Sequence, residues 1–386
     1  MANYQIYYVG TESEVAHHAA PLQREIDVKI VAPEQVAKLA KPNDLAIFYS
    51  EHFHRFRDAW LQLSRKGCNT LYAIDGILEW RNAWENRDDE PACPWTMRPV
   101  LSDKVACIGA SQARVLNSWG NQGKTEVTGI PRLTEFADSG FVESGFVDSG
   151  RDNASRIEGN NNDQPFRLLI TTAKWPGFSP QQIQLATQSL LELKEFLVAN
   201  PTIHGRLIEP VWRLTGDLDK AIGVPNQLRD VTGNDLQSVL DRVDAVITTP
   251  STVMLEAMLK RVPVCLLDYT NSPRYVDAAW SISAQPQIAN ALNQIARPSH
   301  RRMFLQDACL QDALQCTDDA TARLATLANE MIRIGHDCRT ANKPVVFPAQ
   351  ILPVPESSHA QPAQLDFASA FADLSLIHIS EPTRPY

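Results

Sequence analysis

Short runs of β-forming residues alternate with helix-length segments from the start of the chain to about position 137. The runs are YQIYYV, DVKIV, LAIFYS, TLYAID, KVACIG and KTEVTG, and helical patterns such as 55–66 and 111–119 separate them. Strands that are joined in this way through helices pair in parallel. The alternation therefore predicts a parallel sheet covered by helices, which is the α/β class.

The second half of the chain repeats this alternation. FRLLITT begins at Phe166, a helical pattern follows over 180–198, and RLIEP, AVITT and VCLLDY are further strand-like runs. Between the halves, residues 138–165 are rich in Gly, Ser, Asn and Asp and show no helical or strand period, which is typical of a disordered linker. We therefore predict an N-terminal domain over 1–137 and a C-terminal domain over 166–340.

The end of the chain consists of two further segments. Residues 341–373 are rich in proline, which predicts another linker or tail. The last thirteen residues, LSLIHISEPTRPY at 374–386, are similar to a translated sequencing adapter. We exclude them from the fold and expect the natural chain to continue past Asp373.

Charge and composition exclude several classes of protein. With 36 Lys and Arg against 45 Asp and Glu, the formal net charge is −9, which gives little support to a nucleic-acid partner. No apolar run reaches the roughly 18 residues of a membrane span, and the start has no signal-peptide pattern, so we expect a cytoplasmic protein. The seven cysteines form no CxxC pair, so they indicate neither a disulfide framework nor a zinc ribbon.

The most informative run is DAVITTPSTVMLEAMLKRVPVCLLDY, at 244–269. It predicts a buried strand, a turn at Pro250 and a helix whose N-cap candidates are Ser251 and Thr252. A helix N-terminus at the carboxyl edge of a parallel sheet attracts anions, because free N–H groups and the positive end of the dipole point there. We expect Glu256, one turn further in, to accept hydrogen bonds from ribose hydroxyls at the same place. Alternatively, these residues only cap an ordinary helix.

This run resembles the nucleotide-binding stretch of GT-B glycosyltransferases, especially those of bacterial surface polysaccharides. In that group a Ser-Thr or Gly-Thr pair precedes a Leu-Glu-Ala helix, and a strand led by proline follows. The resemblance implies two Rossmann-like domains that face each other across a cleft, with the donor bound by the second. It places Ser251 and Thr252 at the diphosphate of a nucleotide-sugar, and Glu256 at its ribose.

Weaker matches extend over most of 4–334. Lys174 follows the first strand of the second half, where such enzymes often place a cation against the leaving diphosphate, and Thr171 and Thr172 add hydroxyl donors there. Lys174 is alternatively a solvated loop residue. The segments TLYAIDGILEW and VTGIPRL resemble the family's Asp-Gly turn and its closing Gly-x-Pro-Arg motif, so Arg132 marks the end of the N-terminal domain.

The chain departs from one branch of this family. Relatives that transfer glycerophosphate carry His-Pro after the second strand of the C-terminal domain, whereas Glu209 and Pro210 stand here. The difference argues against that branch. Arg213, three residues further on, is a candidate for the missing charge, although an exposed cation is usually just solvated.

Sugar transfer requires a base that removes the proton of the acceptor hydroxyl. Asp75 is the first candidate, because it ends the TLYAI strand beside Gly76, where an acceptor can approach closely. Glu79 and His52 are the next candidates, followed by His54. Asp75 is alternatively a turn residue with no catalytic role.

We expect neither a metal nor another cofactor. GT-B enzymes usually stabilise the departing diphosphate through a helix N-terminus and basic side chains. His52 and His54 have a metal-like spacing, but no third ligand stands near them in the sequence. The nearest acidic cluster, at Asp88, Asp89 and Glu90, is predicted to be a solvated loop.

Together these patterns predict a metal-independent glycosyltransferase. Its expected partners are a nucleotide-sugar donor and a saccharide or lipid-linked acceptor of the cell envelope, with a peripheral contact to the inner membrane. Two alternatives remain: a nucleotide-sugar 2-epimerase with the same fold, and a GT-B-fold scaffold protein without catalytic activity.

Overall fold

The computed structural model describes residues 4–85, 97–134, 164–229 and 236–355. Most of the predicted linker, the acidic cluster at 88–90 and the adapter-like end at 374–386 lie outside these ranges. The described ranges contain two six-stranded sheets, one in each half of the chain.

The N-terminal half forms a six-stranded sheet in which every neighbouring pair is parallel. Helices α1 to α4 connect its strands, in the order β2-β1-β3-β4-β5-β6. The elements are β1 (Ile6–Val9), α1 (Glu12–Gln23), β2 (Val28–Val31), α2 (Pro33–Leu39), β3 (Leu45–Phe48), α3 (His54–Arg65), β4 (Asn69–Ala73), β5 (Lys104–Cys107), α4 (Ala110–Leu116) and β6 (Thr125–Val127).

The C-terminal half forms a second six-stranded sheet, with the order β12-β11-β10-β7-β9-β8. Its strands are parallel except for β8, which pairs antiparallel with β9. The elements are β7 (Phe166–Thr171), α5 (Pro180–Ala199), β8 (Thr202–Ile203), β9 (Arg206–Arg213), α6 (Leu218–Ile222), α7 (Leu236–Leu240), β10 (Ala245–Thr248), α8 (Val253–Leu259), β11 (Val264–Leu267), β12 (Trp280–Ile282), α9 (Ile288–Ala296), α10 (His300–Ala313) and α11 (Ala320–Thr340).

Burial explains why these runs become strands and helices. All residues of β1, β3, β4, β5 and β10 are buried, as expected for parallel strands that helices cover on both faces. In α3, Phe56, Ala59 and Leu63 recur at helical spacing and are buried. Helix α5 begins where the Ser179 hydroxyl accepts the Gln182 backbone N–H. The predicted α/β class is confirmed.

The last helix returns to the first sheet, although the sequence places it with the second half. In α11, Leu324, Ala328 and Met331 share a hydrophobic cluster with residues of β1, β3 and β4. The Asn69 side chain of β4 also donates to the Met331 carbonyl at 3.1 Å. Helix α11 therefore buries its apolar stripe against the N-terminal half of the chain.

The proline-rich stretch after α11 also packs on the first sheet where it is described. The buried Lys104 ammonium donates to the carbonyls of Pro348 and Ala349 at 2.6 and 3.1 Å. The Glu126 carboxylate accepts the backbone N–H groups of Ile351 and Leu352 at 2.7 and 3.1 Å. Residues 348–352 are thus held as a strap, whereas the sequence predicts a linker there.

The two halves of the chain share one hydrophobic cluster. It contains Ile74, Leu78 and Leu133 from the first half together with Met254 and Leu255 of α8.

Among the described residues, no helix combines the length and apolar character needed to cross a bilayer.

Candidate functional site

The carboxyl ends of strands from both sheets converge at one place, which we call the central cleft. The turn after β4 approaches the start of α8 there, and the Ile77 backbone N–H donates to Thr252 Oγ1 at 3.3 Å. Gly76 allows this approach, because a Cβ at that position would collide with Thr252 Oγ1. The turn that begins at Asp75 therefore contacts Thr252, another of the predicted site residues.

Asp75 forms a close pair with a residue that the sequence analysis did not single out. His18 Nε2 of α1 lies 2.8 Å from Asp75 Oδ2, and the imidazole is 8% exposed against 37% for the carboxylate. Burial raises the pKa of Asp75, but the hydrogen bond and charge of His18 and the charge of Arg132 outweigh it, so the pKa is lowered. Asp75 is therefore ionised near neutral pH.

Glu256 also has a partner from the first half of the chain. Its buried carboxylate accepts a hydrogen bond from Arg132 Nη1 at 2.6 Å, and Arg132 Nη2 donates to the Asp75 carbonyl at 3.4 Å. The sequence predicts Arg132 only as the end of the N-terminal domain. The structure instead places it between Asp75 and Glu256, so the guanidinium joins the two sides of the cleft.

Of the two N-cap candidates, Ser251 and Thr252, the structure places Thr252 at the N-cap position of α8. Thr252 makes no side-chain cap bond, because its hydroxyl accepts the Ile77 N–H. The Ser251 hydroxyl lies 3.1 Å from the Thr248 hydroxyl instead. Both residues still lie at the start of α8, on the cleft side of the second sheet.

The predicted residues after β7 differ in their surroundings. Thr172 is buried, and its hydroxyl lies 2.9 Å from the Thr215 hydroxyl. Thr171 is also buried, next to Arg213 in the register of β7 and β9. Lys174 is exposed, and no ion-pair partner for it occurs within the described ranges.

The departure at Glu209 lies away from the cleft residues described above. Glu209 lies within β9 and pairs with Arg167 at 3.1 Å, and both side chains are nearly half exposed. This pair on the surface of β9 gives Glu209 no phosphate-binding character.

His17, next to His18, has a pKa that the charged residues of the cleft shift. The two imidazole centroids lie 3.6 Å apart. Desolvation lowers the pKa of His17 to about 4, and the charges of His18, Arg132 and Lys174 act in the same direction, against Asp75. Cations from both halves of the chain therefore act on one imidazole.

Glu79, the second candidate base, is tied to neighbouring residues. Arg81 Nη2 lies 2.7 Å from Glu79 Oε2, and Arg81 also donates to the Pro176 carbonyl at 3.2 Å. Burial raises the pKa of Glu79 despite the opposing charge of Arg81. Glu79 also lines a small pocket with Asp268 and Arg274, so its carboxylate is held by Arg81 at the edge of that pocket.

His52 and His54 differ in their relation to the cleft. Desolvation lowers the pKa of His52 to about 4, while the charge of Asp75 raises it, so His52 is neutral at pH 7 and within electrostatic reach of Asp75. His54 is the first residue of α3. In the part of the chain that the structure describes, no three His, Cys, Asp or Glu side chains are grouped as metal ligands.

His17, His18 and the position of Arg132 beside Glu256 were not predicted from the sequence. The available signal was the position of the His-His pair in the helix that follows β1, since such helices begin at the carboxyl edge of a parallel sheet. For Arg132 it was the Gly-x-Pro-Arg turn after β6, at the same edge.

Gly76 provides a direct test of the contact across the cleft. We expect Gly76→Ala to lower the free energy of unfolding by roughly 1–3 kcal/mol, because the added methyl overpacks the contact with Thr252. Adding Thr252→Ala removes the colliding hydroxyl and should restore part of the loss. Urea unfolding measures both, and equal stability of the single and double variants would contradict the contact.

Solved structures share this fold, although no protein-family model matches the sequence and no curated protein is significantly similar to it. A Staphylococcus aureus MnaA co-structure with UDP is 13% identical, with a TM-score of 0.54, and the match covers 89% of this chain and 100% of that one. The wall teichoic acid polymerase TagF, soaked with CDPG, is 11% identical with a TM-score of 0.54, and coverage is 85% and 88%.

A third structure is the UDP-GlcNAc 2-epimerase of Neisseria meningitidis bound to UDP-GlcNAc. It is 14% identical with a TM-score of 0.52, and the match covers 85% of this chain and all of that one. These likenesses show that the chain has the predicted GT-B-like fold of two Rossmann-like sheets facing across a cleft.

Proposed function

We propose that this protein transfers a sugar from a nucleotide-sugar to a saccharide or lipid-linked acceptor of the cell envelope. The observation that carries the proposal is the pair of His18 and Asp75, which lies at the same cleft as Thr252 and Glu256. A proton acceptor on one sheet thus faces a candidate nucleotide site on the other, which is the arrangement that sugar transfer requires.

In the proposed donor site, the start of α8 faces the diphosphate, and Glu256 accepts hydroxyl groups of the ribose. Arg132 donates a hydrogen bond to Glu256 Oε1, whereas Oε2 has no hydrogen-bond partner among the described side chains and backbone. Lys174 supplies a positive charge at the end of β7, beside the leaving diphosphate. In this proposal the helix start and Lys174 stabilise the negative charge of the departing diphosphate, which other enzymes do with a metal ion.

In the proposed reaction, Asp75 and His18 act as one unit. The acceptor hydroxyl oxygen attacks the anomeric carbon while the bond from that carbon to the diphosphate oxygen breaks. The hydroxyl proton passes to the unit, and the nucleoside diphosphate leaves with the bonding electron pair. A carboxylate that is hydrogen-bonded to an imidazole fixes its ring orientation and stabilises positive charge on it, so the two groups share the proton transfer.

The ligands named for the three compared structures support a nucleotide substrate, since they are UDP, CDPG and UDP-GlcNAc. The binding test is a thermal-shift screen against UDP, CDP, GDP and their sugars. A ligand that binds only the folded protein raises its stability, so at least one of these compounds should raise the Tm. No shift with any compound at millimolar concentration would contradict a nucleotide-sugar site.

We expect Glu256→Ala to weaken binding of the active nucleotide by about 1.5–3 kcal/mol, or roughly 10- to 150-fold, because a hydrogen bond to a charged group is lost. Isothermal titration measures the change. Glu209→Ala is the matched control, since it removes a carboxylate paired with an arginine on the surface of β9. Unchanged nucleotide affinity in Glu256→Ala would contradict a ribose-binding role and make Glu256 a purely structural residue.

Epimerisation at the sugar C-2 is a second candidate, favoured by the opposed pKa shifts of two acids. The pKa of Asp75 is lowered and that of Glu79, four residues further along the same turn, is raised, and acids with opposed shifts can serve as base and acid. Recovery of an intact nucleotide-sugar inverted at C-2 would favour this alternative over transfer.

A further inference from the structure

We propose that Arg132 is an anion-binding residue that holds the donor's diphosphate from the side of the first sheet. The inference deepens the proposed function and rests on it for the identity of the anion. The proposed donor site already contains the start of α8 and Lys174, both from the second half of the chain. Arg132 would be a further phosphate ligand, and it comes from the first half.

The hydrogen bonding of the Arg132 guanidinium is incomplete. Nη1 donates to Glu256 and Nη2 to the Asp75 carbonyl, but the buried Nε has no partner among the described residues. A buried donor without a partner is destabilising. The Arg132 side chain is 22% exposed, and a planar guanidinium can hold two phosphate oxygens at once.

The charge around Arg132 comes from both halves of the chain. Lys174 belongs to the second half, and its charge and that of Arg132 both lower the pKa of His17. The acids that face this place are Asp75 and Glu256, and both already accept from His18 or Arg132. The two acids are thus already paired, while Lys174 is exposed, so an added anion at the cleft meets positive charge from both halves of the chain.

Arg132 is also linked directly to Glu256. The guanidinium donates to Glu256 Oε1 at 2.6 Å, so it holds one oxygen of the proposed ribose-binding carboxylate. A nucleoside diphosphate carries its phosphates directly on the ribose, so one arginine that holds a phosphate and orients the ribose-binding carboxylate matches that chemistry. Glucose 1-phosphate or a bare sugar offers no such combination.

The test uses inorganic pyrophosphate as the probe, because it contains the diphosphate without the ribose. Isothermal titration on the full chain at fixed ionic strength compares Arg132→Gln, Glu256→Gln and the wild type. We expect Arg132→Gln to weaken pyrophosphate binding by about 10- to 100-fold, the loss typical of hydrogen bonds to a charged group. Glu256→Gln should bind pyrophosphate more tightly than the wild type, since a carboxylate beside the site repels the anion.

Arg114→Gln is the matched control, since Arg114 forms an exposed ion pair with Asp312 at 2.9 Å, and it should bind pyrophosphate like the wild type. Arg132→Gln leaves Glu256 buried without its cation, which threatens folding. The double variant Arg132→Gln with Glu256→Gln removes both charges, and it should bind as weakly as Arg132→Gln. Double-variant binding as tight as that of Glu256→Gln would overturn the inference.

The outcomes separate this inference from the proposed function. Pyrophosphate binding that depends on Arg132, in a protein that converts no nucleotide-sugar, supports the anion site and contradicts the transferase. Turnover of a nucleotide-sugar with unchanged KM in Arg132→Gln supports the transferase and overturns the anion site. Pyrophosphate binding to wild type and Arg132→Gln with equal affinity overturns it as well.

Discussion

Replacing Asp75 by asparagine should lower turnover by roughly 10²- to 10⁴-fold and leave nucleotide affinity nearly unchanged. Asparagine keeps the shape of the side chain but cannot take a proton or hold positive charge on His18. The carboxylate is ionised near neutral pH, since the pKa of Asp75 is lowered by His18 and Arg132 against the effect of burial. Steady-state rates with the active donor and titration of the nucleotide measure the two quantities.

His18→Gln should lower turnover to a similar extent, and the double variant should be little worse than either single variant, because residues that act as a unit are not additive. His336→Gln on α11 is the matched control, since this imidazole contacts Thr340 of its own helix. If Asp75→Asn retains wild-type turnover, Asp75 is not the base, and His52 and Glu79 become the candidates. Loss of nucleotide binding in the same variant would make Asp75 a structural turn residue.

Lys104→Met should lower the free energy of unfolding by about 3–5 kcal/mol, the range for breaking one partner of a buried ion pair. The Lys104 and Glu126 side chains are only 1% and 2% exposed, and their charged atoms lie 2.9 Å apart. The ammonium also donates to the carbonyls of Gly123, Pro348 and Ala349. Methionine fills the space but leaves the carboxylate without its cation and these carbonyls without a donor.

Urea unfolding monitored by tryptophan fluorescence measures this loss. Arg114→Gln, which breaks the exposed pair with Asp312, should change stability by less than about 1 kcal/mol. The variant Lys104→Met with Glu126→Gln removes both buried charges and should be less destabilised than Lys104→Met alone. A loss below about 1 kcal/mol in Lys104→Met would mean that the strap at 348–352 does not depend on this ion pair.

The fully buried strands β1, β3, β4, β5 and β10 were predictable, because each is a short apolar run with its own local signature, whereas the short strands β8 and β12 were not predicted. The helical patterns over 55–66 and 180–198 correspond to α3 and α5 within one residue at each end. The pattern over 111–119 differs, since α4 ends at Leu116 and continues as a π-helical turn to Asn121. There Gly120 has φ of 93°, a conformation that periodicity does not reveal.

The strap could not be predicted from its own residues. Proline removes backbone donors, so a proline-rich run has few ways to pair with itself and looks like a linker. Its order comes from Lys104 and Glu126, more than 200 positions earlier in the chain. Local composition carries no information about such distant partners.

The candidate site was predictable in part. Asp75, Thr252 and Glu256 have local signals, namely a strand end beside glycine and a helix start with an acid one turn further. The hydrogen bonds that connect them are tertiary: His18 reaches Asp75 from another strand crossover, and Arg132 reaches Glu256 from the opposite half. Thr252 binds Ile77 rather than its own helix for the same reason.

Product analysis with a nucleotide-sugar that is ¹³C-labelled in the sugar tests the central claim most directly. After incubation of the wild-type protein with the nucleotide-sugar that binds and an envelope-lipid or oligosaccharide acceptor fraction, NMR follows the anomeric and C-2 signals. We predict release of the nucleoside diphosphate and movement of the label into a new glycoside, both abolished in Asp75→Asn and retained in His336→Gln. An intact nucleotide-sugar inverted at C-2, or an unchanged donor, would contradict the account.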